Sequence, residues 1–326
     1  MLLSCGDALI DFLPVQSAGG RDAMAPVVGG SCLNIAVGMA RLGVAAGFVG
    51  GISTDLFGRM IADHATTSAV DLQYATRSAH QSTLAFVRSV AGEPQYAFYD
   101  AQTASRNWIY HRGAIPFHEI DAIHVGSTTL VDDGGAAQAL AMVEEARGST
   151  TISFDPNCRP NLVADKTGYR KRMDGFAAVA DIIRMSDVDF EYLYGGQDEA
   201  ERAAAMLAAG AGLVVVTRGE RGVRAWHDGA GAVQVAAPPA TVVDTVGAGD
   251  SFQAALLVAL RMLGRIEAAA LKDATVDELR RALSFAVTCA AFTCGRAGAD
   301  PPRRAALGEE VFARLLGKAI PESERR

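Results

Sequence analysis

Short apolar runs and helix-period stretches alternate along most of this chain, and that alternation narrows its fold more than any other feature. Apolar runs at residues 2–5, 46–50, 122–125, 151–154, 182–185, 213–217, 223–226 and 232–235 read as strands. Between and after them, apolar side chains recur at helical spacing over residues 33–42, 57–67, 135–146, 189–194, 199–209, 251–263, 276–293 and 309–316. Strand and helix in turn signal βαβ units, which set strands parallel and cover a sheet with helices. The expected fold is α/β, with a central, mainly parallel sheet between helices in three layers. Half of the residues are hydrophobic, enough for a sizeable core, and the abundance of Ala, Gly and Val suits helices packed closely on a sheet.

The alternation breaks at residues 81–100. Two strands, 82–89 and 95–99, flank the turn Ala91-Gly92-Glu93-Pro94, a hairpin inside a parallel-sheet protein. It is expected to be a lid or dimerisation element, or an edge extension of the main sheet. The charged tail, residues 321–326, is expected to fray.

Charge and composition exclude several function classes. A net charge of −7 and a pI near 5.4 leave no broad basic footprint for nucleic acid. An anionic ligand must therefore be held locally, by amides, a few basic side chains or a metal. Five scattered cysteines suit a reduced, cytoplasmic protein. The N-terminus lacks a basic leader region, and its apolar stretch is broken by Asp7 and Asp11. No apolar run is long enough to span a bilayer, so no membrane association is expected. The six histidines lack metal-ligand spacing. There is no Gly-x-x-x-x-Gly-Lys-[Ser/Thr] loop, nor a Gly-x-Gly-x-x-Gly after the first strand.

The densest chemistry lies at Asp244-Thr245-Val246-Gly247-Ala248-Gly249-Asp250-Ser251-Phe252. Phe252, Ala255, Leu256, Ala259, Leu260 and Leu263 then recur at helical spacing, so a glycine turn opens into the N-terminus of a buried helix. Unpaired amides and the positive end of the helix dipole make such a turn an anion site, and glycine lets the backbone come close to the anion. Asp250, in the first helical turn, is either a capping carboxylate or a base beside a phosphate. The second role is what phosphoryl transfer to a hydroxyl requires.

This string closely resembles the C-terminal signature of the ribokinase (PfkB) family of carbohydrate kinases, and the resemblance extends from Gly6 to about Pro302. It implies the ribokinase-like fold, a single kinase domain over residues 1–326, and a small β-strand lid formed by segments of about 12–28 and 82–112. It implies Asp250 as the catalytic base, with the amides of Gly247, Ala248 and Gly249 as an anion hole. A second family signature appears as Gly29-Gly30-Ser31-Cys32-Leu33-Asn34, where Gly29, Gly30 and Asn34 would meet sugar hydroxyls. Asp11 matches the position that accepts a vicinal diol, a task for an acceptor-only carboxylate. Asp7 is explained by capping.

Asp155-Pro156-Asn157-Cys158-Arg159 resembles the family stretch that puts Asn157 toward the nucleotide phosphates and Arg159 in the cleft. Thr217-Arg218-Gly219-Glu220-Arg221-Gly222 matches the family's nucleotide loop, with Thr217, Gly219 and Gly222. Where the family carries Asn-x-x-Glu, this chain has Ser186 and Asp189; Ser186 would face the nucleotide and Asp189 would hold Mg²⁺ through water. Asp244 and the carbonyl of Val246 would form a K⁺ site, although Pro301-Pro302 replaces a serine common in the neighbouring loop. The resemblance is strongest to bacterial fructokinases, from the N-terminal stretch and from the residues around Phe98 and Arg106. Phe98 would wall the sugar pocket and Arg106 would bind its hydroxyls. The expected reaction is transfer of the γ-phosphate of ATP to a primary hydroxyl of a small sugar, fructose first. Alternatives are 2-keto-3-deoxygluconate kinase, ribokinase, or a catalytically silent sugar or nucleotide sensor. A homodimer through the lid is a further expectation.

Overall fold

The computed structural model describes residues 1–17, 19–90 and 93–318. The turn at Ala91 and Gly92 and the tail 321–326 lie outside the described residues. Strands are numbered in chain order: β1 (Leu2–Cys5), β2 (Leu9–Gln16), β3 (Asp22–Gly29), β4 (Ala46–Ser53), β5 (Val70–Asp71), β6 (Ala75–Ser78), β7 (Thr83–Val90), β8 (Glu93–Tyr99), β9 (Ala122–Gly126), β10 (Thr151–Asp155), β11 (Ile182–Ser186), β12 (Leu213–Thr217), β13 (Val223–His227) and β14 (Gly231–Val235).

The large sheet runs β14-β13-β12-β11-β10-β9-β1-β4-β5, with β6 also on β4. It is parallel from β5 to β12 and antiparallel only at β13 and β14. Its alternating side chains feed two cores. Leu3, Cys5, Ile123, Val125, Ile152, Phe154, Ile183 and Met185 pack against helices Asp133–Ala146 and Lys166–Ala177. On the other face Leu2, Ala122, Ile182, Leu213 and Val215 meet helices Ser31–Arg41, Ala248–Met262 and Val276–Cys294. Period-two alternation along buried strands thus produces three layers.

A second, four-stranded sheet has the order β3-β2-β7-β8. The hairpin read from residues 82–99 is its β7–β8 pair. Strands β2 and β3 cover the segment of about 12–28 expected to contribute to a β-strand lid, while residues 100–112, also expected in the lid, form turns and irregular chain. Pro14 and Pro26 weaken the strand pattern of these segments, yet both fit a small sheet, where Phe12 stacks on Phe86 with ring centroids 4.6 Å apart. Among the described residues, no helix is long and apolar enough to cross a membrane. All five cysteines are free, and four are buried.

The chain reverses its direction of travel across the sheet between β1, which continues to β4, and β9, which continues to β10. Ligands of open α/β sheets settle in the crevice outside the strand ends at such a point.

Candidate active site

Asp7, just past β1, pins this crevice. Its buried carboxylate accepts from the Cys32 amide (3.0 Å), Ser127 Oγ (3.0 Å) and Thr128 Oγ (3.1 Å), joining the ends of β1 and β9 to the start of helix Ser31–Arg41. The capping expectation is met and widened. Gly30 enters that helix with φ +104°, and a Cβ there would lie 2.6 Å from the Asp7 carbonyl oxygen. Asp11, on β2, lies over Gly29, where an added Cβ would fall 2.2 Å from Asp11 Oδ2. Among the described residues Asp11 has no hydrogen-bond donor. Burial, then the Asp7 charge, pushes its carboxyl up to about 6, against the pull of Arg159 and with a further push from Asp250.

Helix Ala248–Met262 begins at Gly247, whose φ of +75° is left-handed; a Cβ there would strike Ala299 at 2.6 Å. The Ala248 amide closes a turn on the Thr245 carbonyl (3.3 Å). Among the described residues the amides of Gly247, Gly249 and Asp250 carry no hydrogen bond. The expected anion hole therefore has the amides flanking Ala248 free, while that of Ala248 is engaged. Asp250 reaches back toward the first signature: Ser31 Oγ donates to its Oδ1 (2.6 Å) and Asn34 Nδ2 to its Oδ2 (2.9 Å). Burial raises its pKa, while Ser31, Asn34 and Arg159 oppose the rise and Asp7 adds to it. Two motifs far apart in the chain are thus brought together around one carboxylate.

The strand-end loops complete the crevice. Asn157, at φ +38°, donates from Nδ2 to Ser31 Oγ (2.7 Å) and accepts at Oδ1 from Arg159 (2.6 Å). Thr217 ends β12, and its loop turns back through Gly219 and Gly222; a Cβ on Gly222 would meet the Val235 carbonyl at 2.1 Å. Behind these loops lies a residue to which sequence reasoning assigns nothing. Arg184, on β11, is buried, pairs with Asp155 (2.5 Å), donates to Thr217 Oγ1 (2.7 Å), and backs onto Gly249, where a Cβ would sit 3.0 Å from its guanidinium. Asp155 in turn accepts the Asn157 amide (2.9 Å). One guanidinium thus ties together the ends of β10 and β12 and the anion turn. Burial lowers the arginine's pKa, but the charge and hydrogen bond of Asp155 together with the charges of Asp189 and Asp250 outweigh burial and raise it, so the guanidinium stays a cation.

Other expected residues stand apart. Ser186 and Asp189 form a capping box: the Ser186 hydroxyl and amide donate to Asp189 Oδ2 (2.6 and 3.1 Å), and Asp189 Oδ1 takes the Cys158 amide (2.8 Å). Asp189, expected to hold Mg²⁺ through water, is buried, and both its carboxylate oxygens accept hydrogen bonds within the protein. Among the described residues no three His, Cys, Asp or Glu side chains group as a metal site. Arg106 is held by Asp100, Asp132 and the Thr128 carbonyl, which accounts for its charge without a sugar. Phe98 is half-buried and lines a groove on the second sheet with Ser82, Phe86 and Tyr99. Asp244 takes the amides of Val246 (3.0 Å) and Gly298 (2.8 Å), joining the two loops expected to enclose K⁺.

A carboxylate fixed at a helix N-terminus beside free amides, at the switch point of a mainly parallel sheet, defines a group-transfer site of the α/β class. The sequence matches the pfkB family carbohydrate kinase model over residues 1–306. The chain is 36% identical over 264 residues to a fructokinase of Rhizobium leguminosarum bv. trifolii, covering 80% of each. It is 33% identical over 301 residues to a fructokinase of Klebsiella pneumoniae, covering 90% of this chain and 93% of that one. The crystal structure of a Xylella fastidiosa fructokinase with bound ATP superposes with a TM-score of 0.85 at 26% identity, covering 97% and 98% of the two chains. The chain belongs to the pfkB family of carbohydrate kinases, and its fold is ribokinase-like.

Proposed function

We propose that this kinase transfers the γ-phosphoryl group of ATP to a primary hydroxyl of fructose, with Asp250 as general base. The observation that carries the reading is the Asp250 constellation. Both carboxylate oxygens are oriented by side chains of the first signature, and the free amides of Gly247 and Gly249 lie within the same turn. The substrate assignment draws on the fructokinases among the relatives.

In this mechanism the sugar lies over Gly29 and Gly30, with a vicinal diol donating to the unpartnered Asp11 and further hydroxyls meeting Asn34. The γ-phosphate sits at the Gly247 and Gly249 amides, and Asn157 and Thr217 face the rest of the nucleotide. Asp250 accepts the proton as the hydroxyl attacks, and amides and helix dipole stabilise charge on the transferring group. A bound divalent ion would neutralise phosphate charge, with Asp189 the carboxylate expected to reach it through water; among the described residues no three His, Cys, Asp or Glu side chains group around an ion. The second sheet acts as a lid that excludes water. Its exposed Val15, Met24 and Tyr99 are the surface a second copy would cover.

The test is ADP release with fructose, ribose and 2-keto-3-deoxygluconate, run with Mg²⁺ in K⁺ or Na⁺ buffer, alongside Asp250→Asn. Fructose should be the best acceptor, and the variant should lose about 10²–10⁴-fold in kcat while still binding sugar. Turnover of the variant at the wild-type rate sinks the assignment of the base. A faster rate with another sugar sinks the substrate.

A further inference from the structure

We infer that Ser31 is a positioning residue for this reaction, the link in a one-directional hydrogen-bond chain that runs Arg159 to Asn157 to Ser31 to Asp250. The inference rests on the reading of Asp250 as the base. Arg159 donates to Asn157 Oδ1 at 2.6 Å, Asn157 Nδ2 donates to Ser31 Oγ at 2.7 Å, and Ser31 Oγ donates to Asp250 Oδ1 at 2.6 Å.

The direction of this chain is forced. A guanidinium only donates, so it must face the oxygen of the Asn157 amide, which turns the NH₂ toward Ser31. A carboxylate only accepts, so the Ser31 hydrogen must point at Asp250. Every donor in the chain therefore leans toward the base, and bonds so aligned polarise one another. The anchor is firm: Asp155 takes the Asn157 amide and is itself paired with the buried Arg184.

The surroundings give Ser31 a task. Asp7, Asp11, Arg159 and Arg184 all act electrostatically with Asp250, two as anions and two as cations. Burial and the Asp7 charge favour the protonated acid, which cannot accept a substrate proton. The direct donors that oppose them are Ser31 on Oδ1 and Asn34 on Oδ2. The Ser31 hydroxyl favours the ionised form of the base and fixes Oδ1. It also couples the base to Asn157, the side chain proposed to face the phosphates. A nucleotide that draws Asn157 away would leave Asp250 more basic at the moment the hydroxyl must be deprotonated.

The experiment compares wild type, Ser31→Ala and Ser31→Thr by kcat against pH with fructose and ATP, and by carbon-13 NMR titration of the Asp250 carboxyl, assigned by its loss in Asp250→Asn. Removing the donor favours the protonated form, so both the acidic limb of kcat and the carboxyl titration should rise by about one unit in Ser31→Ala. Ser31→Thr, which keeps the hydroxyl, should restore the wild-type limb. A merely structural role would lower kcat by the same factor at every pH and leave the titration where it was, and that result overturns the inference. A shifted titration in a protein that phosphorylates no sugar supports the chain and sinks the kinase reading instead. Should Ser31→Ala not fold, Asn157→Ala breaks the preceding link. It should move the titration the same way by a smaller amount, and no movement overturns the inference.

Discussion

Asp11→Asn should stabilise the protein while disabling its sugar site, and the size of the effect follows from the crevice. Asp11 has no hydrogen-bond donor among the described residues, and Asp7 and Asp250 both repel it. Burial first, and then that repulsion, push its carboxyl up to about 6 from 3.8. Between those values the folded protein retains a proton that the unfolded chain has released. Wild-type stability therefore falls as pH rises through that window, and the penalty is complete above about pH 6. Two units correspond to about 3 kcal/mol; solvent screening of a partly exposed group reduces this to about 1–2 kcal/mol. Asparagine keeps the shape and carries no charge. At pH 7.5 Asp11→Asn should melt about 3–6 °C above wild type, with the two converging below about pH 4. Fructose affinity, measured by calorimetry, should fall at least about tenfold, because a charge-assisted acceptor for two hydroxyls is lost. Differential scanning fluorimetry from pH 4 to 8 reads the first effect. A variant that melts at or below wild type at pH 7.5, or with a gap independent of pH, would refute the reasoning.

Arg184→Met leaves Asp155 buried without its partner, which costs about 3–5 kcal/mol; the melting temperature should drop by about 10 °C, and a change under 2 °C would show that the pair is not the clamp described. Gly247→Ala forces a side chain onto Ala299 in a left-handed backbone, so kcat should fall while the fold survives by circular dichroism; unchanged kcat would separate this turn from the chemistry.

The large sheet and its flanking helices were legible because buried strands and helices write their periods directly into the chain. The small sheet was half legible. Its β7–β8 hairpin announced itself, but β2 and β3 carry Pro14 and Pro26 and expose much of their length, so their own pattern did not mark strands and only the family resemblance put residues 12–28 in a β-strand lid. Helix Lys166–Ala177 escaped for a related reason: its polar composition hides the buried Tyr169, Met173 and Phe176. At the site, the residues expected to surround Asp250 were found in local motifs, and Asn34 and Asn157 join its hydrogen-bond network. Ser31 and Arg184 were not singled out, because their meaning lies in partners supplied by tertiary structure. A serine after two glycines reads as a turn, and an arginine within an apolar strand reads as an exception to packing. At Asp189 the local Ser-x-x-Asp pattern, three residues apart, is that of a capping box, and the structure forms it.

Ser31 and Asp250 touch across 219 residues of chain. On a ribosome adding about 5–20 residues per second, Ser31 leaves the exit tunnel about 10–45 s before Asp250. Helix Ser31–Arg41 shares its core with helix Ala248–Met262, so until the later helix is made the first signature lacks both its packing and the carboxylate it meets. The joining of these two distant segments is what closes the crevice around Asp250.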